Sequence, residues 1–178
     1  MDEIARNSTW DPMNSATLQA LAAFPQQLEQ FYAAIPEAYR RWEPESWEGI
    51  PSETFSPIGQ VCHIRDVEVD GYHRRFQRPL REDNPVLPSI DGYQLARDRD
   101  YANADAREML AAFRAARAET VRIIAGLSPA QFLRTASFEG FGPVTVRSLV
   151  HILCSHDQQH LAGLQWLLGK IEAIPVGK

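Results

Sequence analysis

Two histidines on one predicted helix, His156 and His160, have the spacing of metal ligands. Residues four apart on an α-helix are separated by about 40° around the axis and about 6 Å along it, so both imidazoles project from one face. Paired histidines at this spacing bind zinc in metalloproteases, where a glutamate directly follows the first histidine. Here Asp157 takes that place, which counts against a protease. The pair alone favours packed or surface histidines.

A third histidine, His63, lies two turns into another predicted helix, where Ile58, Val61 and Val67 indicate a packed surface. Three neutral imidazoles from two facing helices can hold one ion and leave coordination positions open for water and substrate. Imidazole donors suit zinc, nickel, iron or copper better than magnesium or calcium. We therefore expect a divalent metal ion at His63, His156 and His160, with zinc or nickel first and iron or manganese as alternatives.

Asp66 is the candidate for a supporting role, because it follows His63 by about one turn on a similar face. Carboxylates next to metal-bound histidines commonly fix the tautomer of the imidazole. An ion-pair ladder with nearby arginines on the helix surface is an equal alternative for Asp66. The two remaining histidines, His73 and His151, are rotated away from the proposed ligand face and are expected to lie elsewhere.

Four long segments with helical periodicity can position these residues, and no strand-like alternation competes with them. They cover residues 15–34, 57–79, 105–126 and 145–168. A short capped turn is expected at 128–133, a short extended piece at 135–146, and a long irregular connection at 81–104. Residues that favour helix ends accompany the segments: Asn14 or Ser15, Ser56 with Pro57, Asp105 and Thr145 at the beginnings, Gly126 and Gly169 at the ends.

Size and composition favour one domain over residues 1–178, with a core of about 15–169. The 44% hydrophobic and 23% charged residues are typical of a folded soluble chain. A net charge of −5 argues against nucleic-acid or anionic-membrane partners. No apolar run approaches the roughly 20 residues of a membrane-spanning helix. Two cysteines without a secretory signal indicate a cytoplasmic location. Four helices with one long crossover loop between helices 2 and 3 predict an all-α four-helix bundle.

Two segments also carry a family resemblance. "FSPIGQVCHIRDVEVDGYHRRF" and "VTVRSLVHILCSHDQQHLAGLQWLL" resemble the two signature helices of the DinB-like (DinB/YfiT) superfamily. The resemblance implies an up-down-down-up four-helix bundle, frequent dimers, and a divalent ion held by three histidines, which fall on His63, His156 and His160. Known activities in that family include S-transfer that depends on low-molecular-weight thiols and mycothiol-dependent isomerisation.

An ion with three neutral ligands strongly acidifies a bound water or thiol. The predicted function is therefore a metal-dependent thiol S-transferase or hydrolase that acts on a small molecule, with a low-molecular-weight thiol as the cosubstrate of the transferase. The sequence leaves open a catalytically idle bundle that binds a metal or an apolar ligand as a sensor or interaction module. It also leaves open a structural bundle with hydrogen-bonded core histidines. We expect a homodimer without nucleic-acid or membrane partners.

Overall fold

The structure, a computed structural model, describes residues 15–175. The predicted cap Asn14 and both ends of the predicted single domain, 1–14 and 176–178, lie outside the described residues. Four long helical segments form the frame. The all-α class predicted from the sequence is confirmed in part, because the protein is mostly helical but also contains a small three-stranded sheet. None of the described helices is both long enough and apolar enough to cross a membrane. The frame consists of α1 (Ser15–Ala34), α2 (Pro57–Asp66) continued by α3 (His73–Arg81), α5 (Ala106–Ala125) and α7 (Val146–Glu172).

The frame helices begin where the sequence predicts, because polar side chains cap them. The Ser56 hydroxyl accepts a hydrogen bond from the backbone N–H of Gly59, and Pro57 occupies the first helical position. Asp105 and Thr145 cap α5 and α7 in the same way. Helix α1 packs against α5 and α7, and α2 packs against the same two helices.

Gly169 does not end the last helix, contrary to the prediction from sequence. Helix α7 continues to Glu172, and Ile171 in this last turn is buried. Burial of the Ile171 side chain offsets the roughly 1 kcal/mol that a glycine costs inside a helix. Gly169 is therefore an unfavourable residue within α7 and not the residue at which the helix ends.

The second frame segment contains a π-helical stretch, Val67–Tyr72, between α2 and α3. Short π-helical stretches within longer helices are frequent at functional sites. This one begins one turn after His63. Its buried residues include Glu68 and Tyr72, which face different neighbours described below.

The connection between α3 and α5 contains β1 (Val86–Leu87), α4 (Gly92–Asp98) and a 3-10 turn (Tyr101–Asn103). A 3-10 turn (Glu37–Tyr39) follows α1, and α6 (Pro129–Phe132) precedes β2 (Thr135–Phe138) and β3 (Gly142–Thr145). Strand β2 pairs antiparallel with β3 and parallel with β1. The extended piece predicted at 135–146 is thus a hairpin, and β1 ties the long connection to it.

A buried network of charges joins three parts of the frame. Arg117 of α5 donates to both carboxylate oxygens of Glu68, at 2.8 and 2.9 Å, and to both of Asp157 in α7, at 2.6 and 2.9 Å. The three side chains are at most 2% exposed. Arg117 also donates to the carbonyl oxygen of Leu21 in α1, at 3.3 Å. This network makes the packing of the frame depend on one guanidinium group.

Replacement of Arg117 by methionine should lower the free energy of unfolding by about 3–5 kcal/mol, because two buried carboxylates lose their positive partner. Urea denaturation followed by circular dichroism measures the change. Arg122→Met is the matched control on the same helix, since Arg122 pairs with Glu119 in solvent, and its denaturation midpoint should stay at the wild-type value. Equal midpoints for both variants would contradict the structural role of Arg117.

Candidate metal centre

The structure brings His63, His156 and His160 together. The Nε2 atom of His156 lies 3.4 Å from Nε2 of His63 and 3.1 Å from Nε2 of His160. His63 comes from the second turn of α2, while the other two come from consecutive turns of α7. Three ring nitrogens from two helices thus face a common point, as their spacing in the sequence predicts.

Glu53 is a fourth member of this cluster and was not predicted from the sequence. Its Oε2 atom lies 3.2 Å from Nε2 of His160, and its Oε1 atom lies 3.7 Å from Nε2 of His63. One donor atom from each of the four residues lies within 4.8 Å of the others. Glu53 precedes Ser56, the cap of the helix that carries His63, by three residues, and that position is the one weak signal in the sequence.

Gln60 sets the orientation of the His160 ring. The amide nitrogen of Gln60 donates to Ser52 Oγ at 3.0 Å and to the carbonyl oxygens of Glu53 and Phe55 at 3.1 and 3.2 Å. These three acceptors direct the amide oxygen of Gln60 to Nδ1 of His160, at 2.5 Å. Because a carbonyl oxygen only accepts, Nδ1 carries the proton. The Nε2 atom of His160 faces the cluster, 3.1 Å from Nε2 of His156.

The charges of His63, His156 and Glu53 fit a divalent cation. Burial, together with the charge of His160, lowers the pKa of His63 to about 3. Burial, with the charges of His160 and His63, also lowers the pKa of His156 well below its ordinary value. The hydrogen bond with His160 lowers the pKa of Glu53 to about 2. Neutral His63 and His156 and an ionised Glu53 are in the protonation states that a metal ion requires. The three histidines and Glu53 are the residues that could hold a metal ion.

The long connection covers the His63 ring. Gly92, the first residue of α4, lies so close that a Cβ atom there would be 2.6 Å from Cε1 of His63. The ring of Phe55 packs against His63, with centroids 5.0 Å apart. The hydroxyl group of Tyr93 accepts a hydrogen bond from the backbone N–H of Thr54, at 3.1 Å. Only glycine at position 92 leaves space for the imidazole, so the connection and the loop before α2 hold His63 between them.

Asp66 lies next to the cluster in sequence but binds a different set of groups. Its Oδ2 atom accepts a hydrogen bond from the Tyr101 hydroxyl at 2.5 Å, and its Oδ1 atom lies 2.6 Å from Arg99 and 2.8 Å from Arg65. Tyr101 and Arg99 belong to the long connection, so Asp66 anchors that connection to α2. Its predicted support of a metal ligand stays a prediction. The His63 Nδ1 atom has no hydrogen-bond partner in the part of the chain that the structure describes.

The other two histidines lie away from the cluster, as their rotation around the helices predicts. Nε2 of His73 lies 3.0 Å from the carbonyl oxygen of Ala116 in α5. His151 is exposed to solvent on α7. Neither contributes a donor atom to the cluster that Glu53 and the other three histidines form.

A cavity of about 360 Å³ opens beside the cluster. Glu53, His63 and His156 form one part of its wall, and Tyr72 and Phe138 supply aromatic surface. This volume lies within the range of small-molecule sites, which are mostly apolar with a few polar groups. A small molecule in the cavity would lie against the donor atoms of the cluster.

Comparison with known proteins identifies the fold and the family. No curated protein matches the chain. Among solved structures, YfiT from Bacillus subtilis matches with a TM-score of 0.80 and 19% sequence identity, over 94% of this chain and 92% of that chain. YfiT is described as a "probable metal-dependent hydrolase with an unusual four-helix bundle topology". The likeness shows that this chain shares the four-helix bundle fold. The family model described as the DinB superfamily matches residues 5–164, and the chain belongs to that superfamily, as its two histidine-bearing helices indicated.

Proposed function

We propose that this protein is a metal-dependent hydrolase that acts on a small molecule. The observation that carries the proposal is the convergence of three imidazoles and one ionised carboxylate beside a cavity, with Glu53, His63 and His156 in its wall. The description of YfiT as a probable metal-dependent hydrolase supports the same class of reaction. The proposal extends to a cytoplasmic homodimer whose four helices run up-down-down-up, without nucleic-acid or membrane partners.

His63, His156 and His160 would hold the ion, and zinc or nickel suits these donors first, with iron or manganese as alternatives. A bound divalent ion supplies a Lewis acid that lowers the pKa of water or of a thiol. Gln60 fixes the His160 ring through its hydrogen bond to Nδ1. Gly92 and Phe55 fix the His63 ring by contact. The fixed rings preserve the positions of the donor atoms between one turnover and the next.

Glu53 is placed to accept a proton from the nucleophile. The hydrogen bond with His160 lowers its pKa to about 2, so the carboxylate is ionised but weakly basic. An ion held by Nε2 of His160 would remove that hydrogen bond and restore the basicity of the carboxylate. Its side chain is 39% exposed and lines the cavity, whereas His160 is fully buried. A carboxylate within reach of the nucleophile and of the ring nitrogens can act as a general base. The same carboxylate would serve a thiol, so thiol-dependent S-transfer is the second candidate reaction.

Protein purified without a histidine tag should carry about one divalent ion per chain, and His156→Ala should lose it. The His156 Nε2 atom lies within 3.4 Å of the ring nitrogens of both other histidines, so its removal takes away the central donor of the cluster. Elemental analysis of the purified chain measures the ion. His151→Ala is the matched control, because His151 lies on the same helix and is exposed, and its metal content should equal that of the wild type. Equal metal content in the two variants would remove the basis of the site.

Glu53→Gln should weaken zinc binding about 10–100-fold, because the amide keeps the shape of the side chain but removes the negative charge that faces two ring nitrogens. Competition with a chromogenic chelator measures the affinity. Glu48→Gln removes the same charge from an exposed position of the same loop and should leave the affinity unchanged. A Glu53→Gln variant with wild-type affinity would place Glu53 outside the metal site.

The reaction class is tested with metal-loaded protein and two panels of substrates. One panel contains small esters and amides without thiol, and the other contains monochlorobimane with low-molecular-weight thiols. Hydrolysis in the first panel that disappears in His156→Ala is the expected result. Turnover in the second panel alone would assign S-transfer instead. Turnover in neither panel would overturn the enzymatic proposal and leave a bundle that binds metal without catalysis.

A further inference from the structure

Arg75 is a buried cation in the cavity wall that lacks a carboxylate partner among residues 15–175. Its side chain is 5% exposed, and the ion pairs found in this range do not include it. One of its Nη2 protons bonds to the carbonyl oxygen of Pro88, at 3.2 Å, while the buried Nε atom has no partner in that range. A guanidinium carries five N–H donors in a planar fork. Donors of Arg75 therefore remain for a ligand.

The guanidinium of Arg75 lies between two aromatic rings of the cavity. Its Cζ atom is 4.4 Å from the ring centroid of Phe138 and 5.0 Å from that of Tyr72. The Tyr72 ring is in turn 6.4 Å from the ring of His156. Arg75, Tyr72 and His156 all line the same cavity. One small molecule laid across Tyr72 can therefore reach both the guanidinium and the metal-binding cluster.

The other arginine that is buried among residues 15–175, Arg117, is neutralised by carboxylates. Arg117 binds Glu68 and Asp157. Burial lowers the pKa of Arg75, which shows the cost of desolvating this cation. A buried charge is stable when a partner of opposite charge is present. Unlike Arg117, Arg75 is open to a negatively charged ligand in the cavity.

We propose that Arg75 binds the carboxylate of the substrate, so that the enzyme acts on small organic acids. The fork of a guanidinium matches the two oxygens of a carboxylate with parallel hydrogen bonds. The apolar body of the acid lies against Tyr72 and Phe138, and its reacting bond lies at the cluster. This inference names the substrate class of the proposed hydrolase and rests on that proposal for its catalytic part. Binding of the acid can be measured without turnover.

The test compares acids with their amides, which share shape but lack the charge. Phenylacetate with phenylacetamide, benzoate with benzamide and hexanoate with hexanamide are titrated into zinc-loaded protein, and dissociation constants come from calorimetry or ligand-observed NMR. Wild-type protein should bind at least one acid tenfold or more tightly than its amide. Arg75→Met should abolish this preference and leave amide binding unchanged. Arg74→Met removes an exposed charge from the neighbouring position of α3 and should keep the preference.

A second arm of the test distinguishes acid binding by Arg75 from acid binding by the metal ion, since the ion also attracts carboxylates. The titrations are repeated after removal of zinc with a chelator. Persistence of the acid preference in wild-type protein, and its loss in Arg75→Met, supports the inference. A preference that disappears with the metal, or that survives in Arg75→Met, overturns it. Wild-type protein that binds no acid more tightly than its amide overturns it as well.

Stability and metal content complete the test. Arg75→Met should unfold at or above the wild-type Tm, because a charge kept for a ligand is not needed for folding. If Arg75→Met does not fold, Arg75→Lys replaces it, since loss of the planar fork should weaken acid binding severalfold without an effect on the amide. Acid affinity of Arg75→Lys equal to that of the wild type would contradict the inference. Absence of metal or turnover in the wild type would instead count against the proposed function.

Discussion

The site depends on one hydrogen bond, between Gln60 and His160. The Gln60 amide holds two carbonyl groups of the loop before α2 and the hydroxyl of Ser52, and its oxygen holds His160 of α7. The side chain of Gln60 therefore joins the loop, α2 and α7. Gly163 of α7 permits the approach, because a Cβ atom there would collide with Ser52. Through this contact the loop presents the Glu53 carboxylate to the ring nitrogens, which no local preference of the loop could do.

Buried charge in this fold has two different roles, and the π-helical stretch serves both. Glu68 of that stretch binds Arg117, whose charge is neutralised within the protein and which links α5 to α7 through Asp157. Tyr72 of the same stretch lies in the cavity beside Arg75. One guanidinium is thus committed to packing, while the other is not balanced by a described carboxylate. The π-helical stretch therefore supplies one residue to the buried ion pairs of the frame and another to the cavity wall.

Local rules of sequence explain why the histidine cluster and the helices could be predicted. The spacing of His156 and His160 is a property of one helix, and the caps Ser56 and Thr145 act within one turn. Glu53 could not be predicted in the same way, because its position depends on a loop held by distant groups. Arg117 and its partners, 40 and 49 residues away, follow from packing that periodicity does not specify. The prediction that the last helix ends at Gly169 was wrong, because burial of the next turn outweighed the local preference of glycine for helix ends.

The four donor residues differ in burial, so the cluster is open to a ligand from one side only. His160 is fully buried, held by Gln60, and does not line the cavity, whereas Glu53, His63 and His156 do. A ligand can therefore approach from the side of Glu53 and His156 but not from the side of Gln60. Arg75 borders the same open side, next to Tyr72. Arg75 and Glu53 both line this cavity, and the Tyr72 ring lies 5.0 Å from the guanidinium carbon of Arg75 and 6.4 Å from the ring of His156. An acid held at Arg75, as proposed above, would therefore extend across Tyr72 toward the cluster, which favours a substrate whose reacting bond is several atoms from its charge.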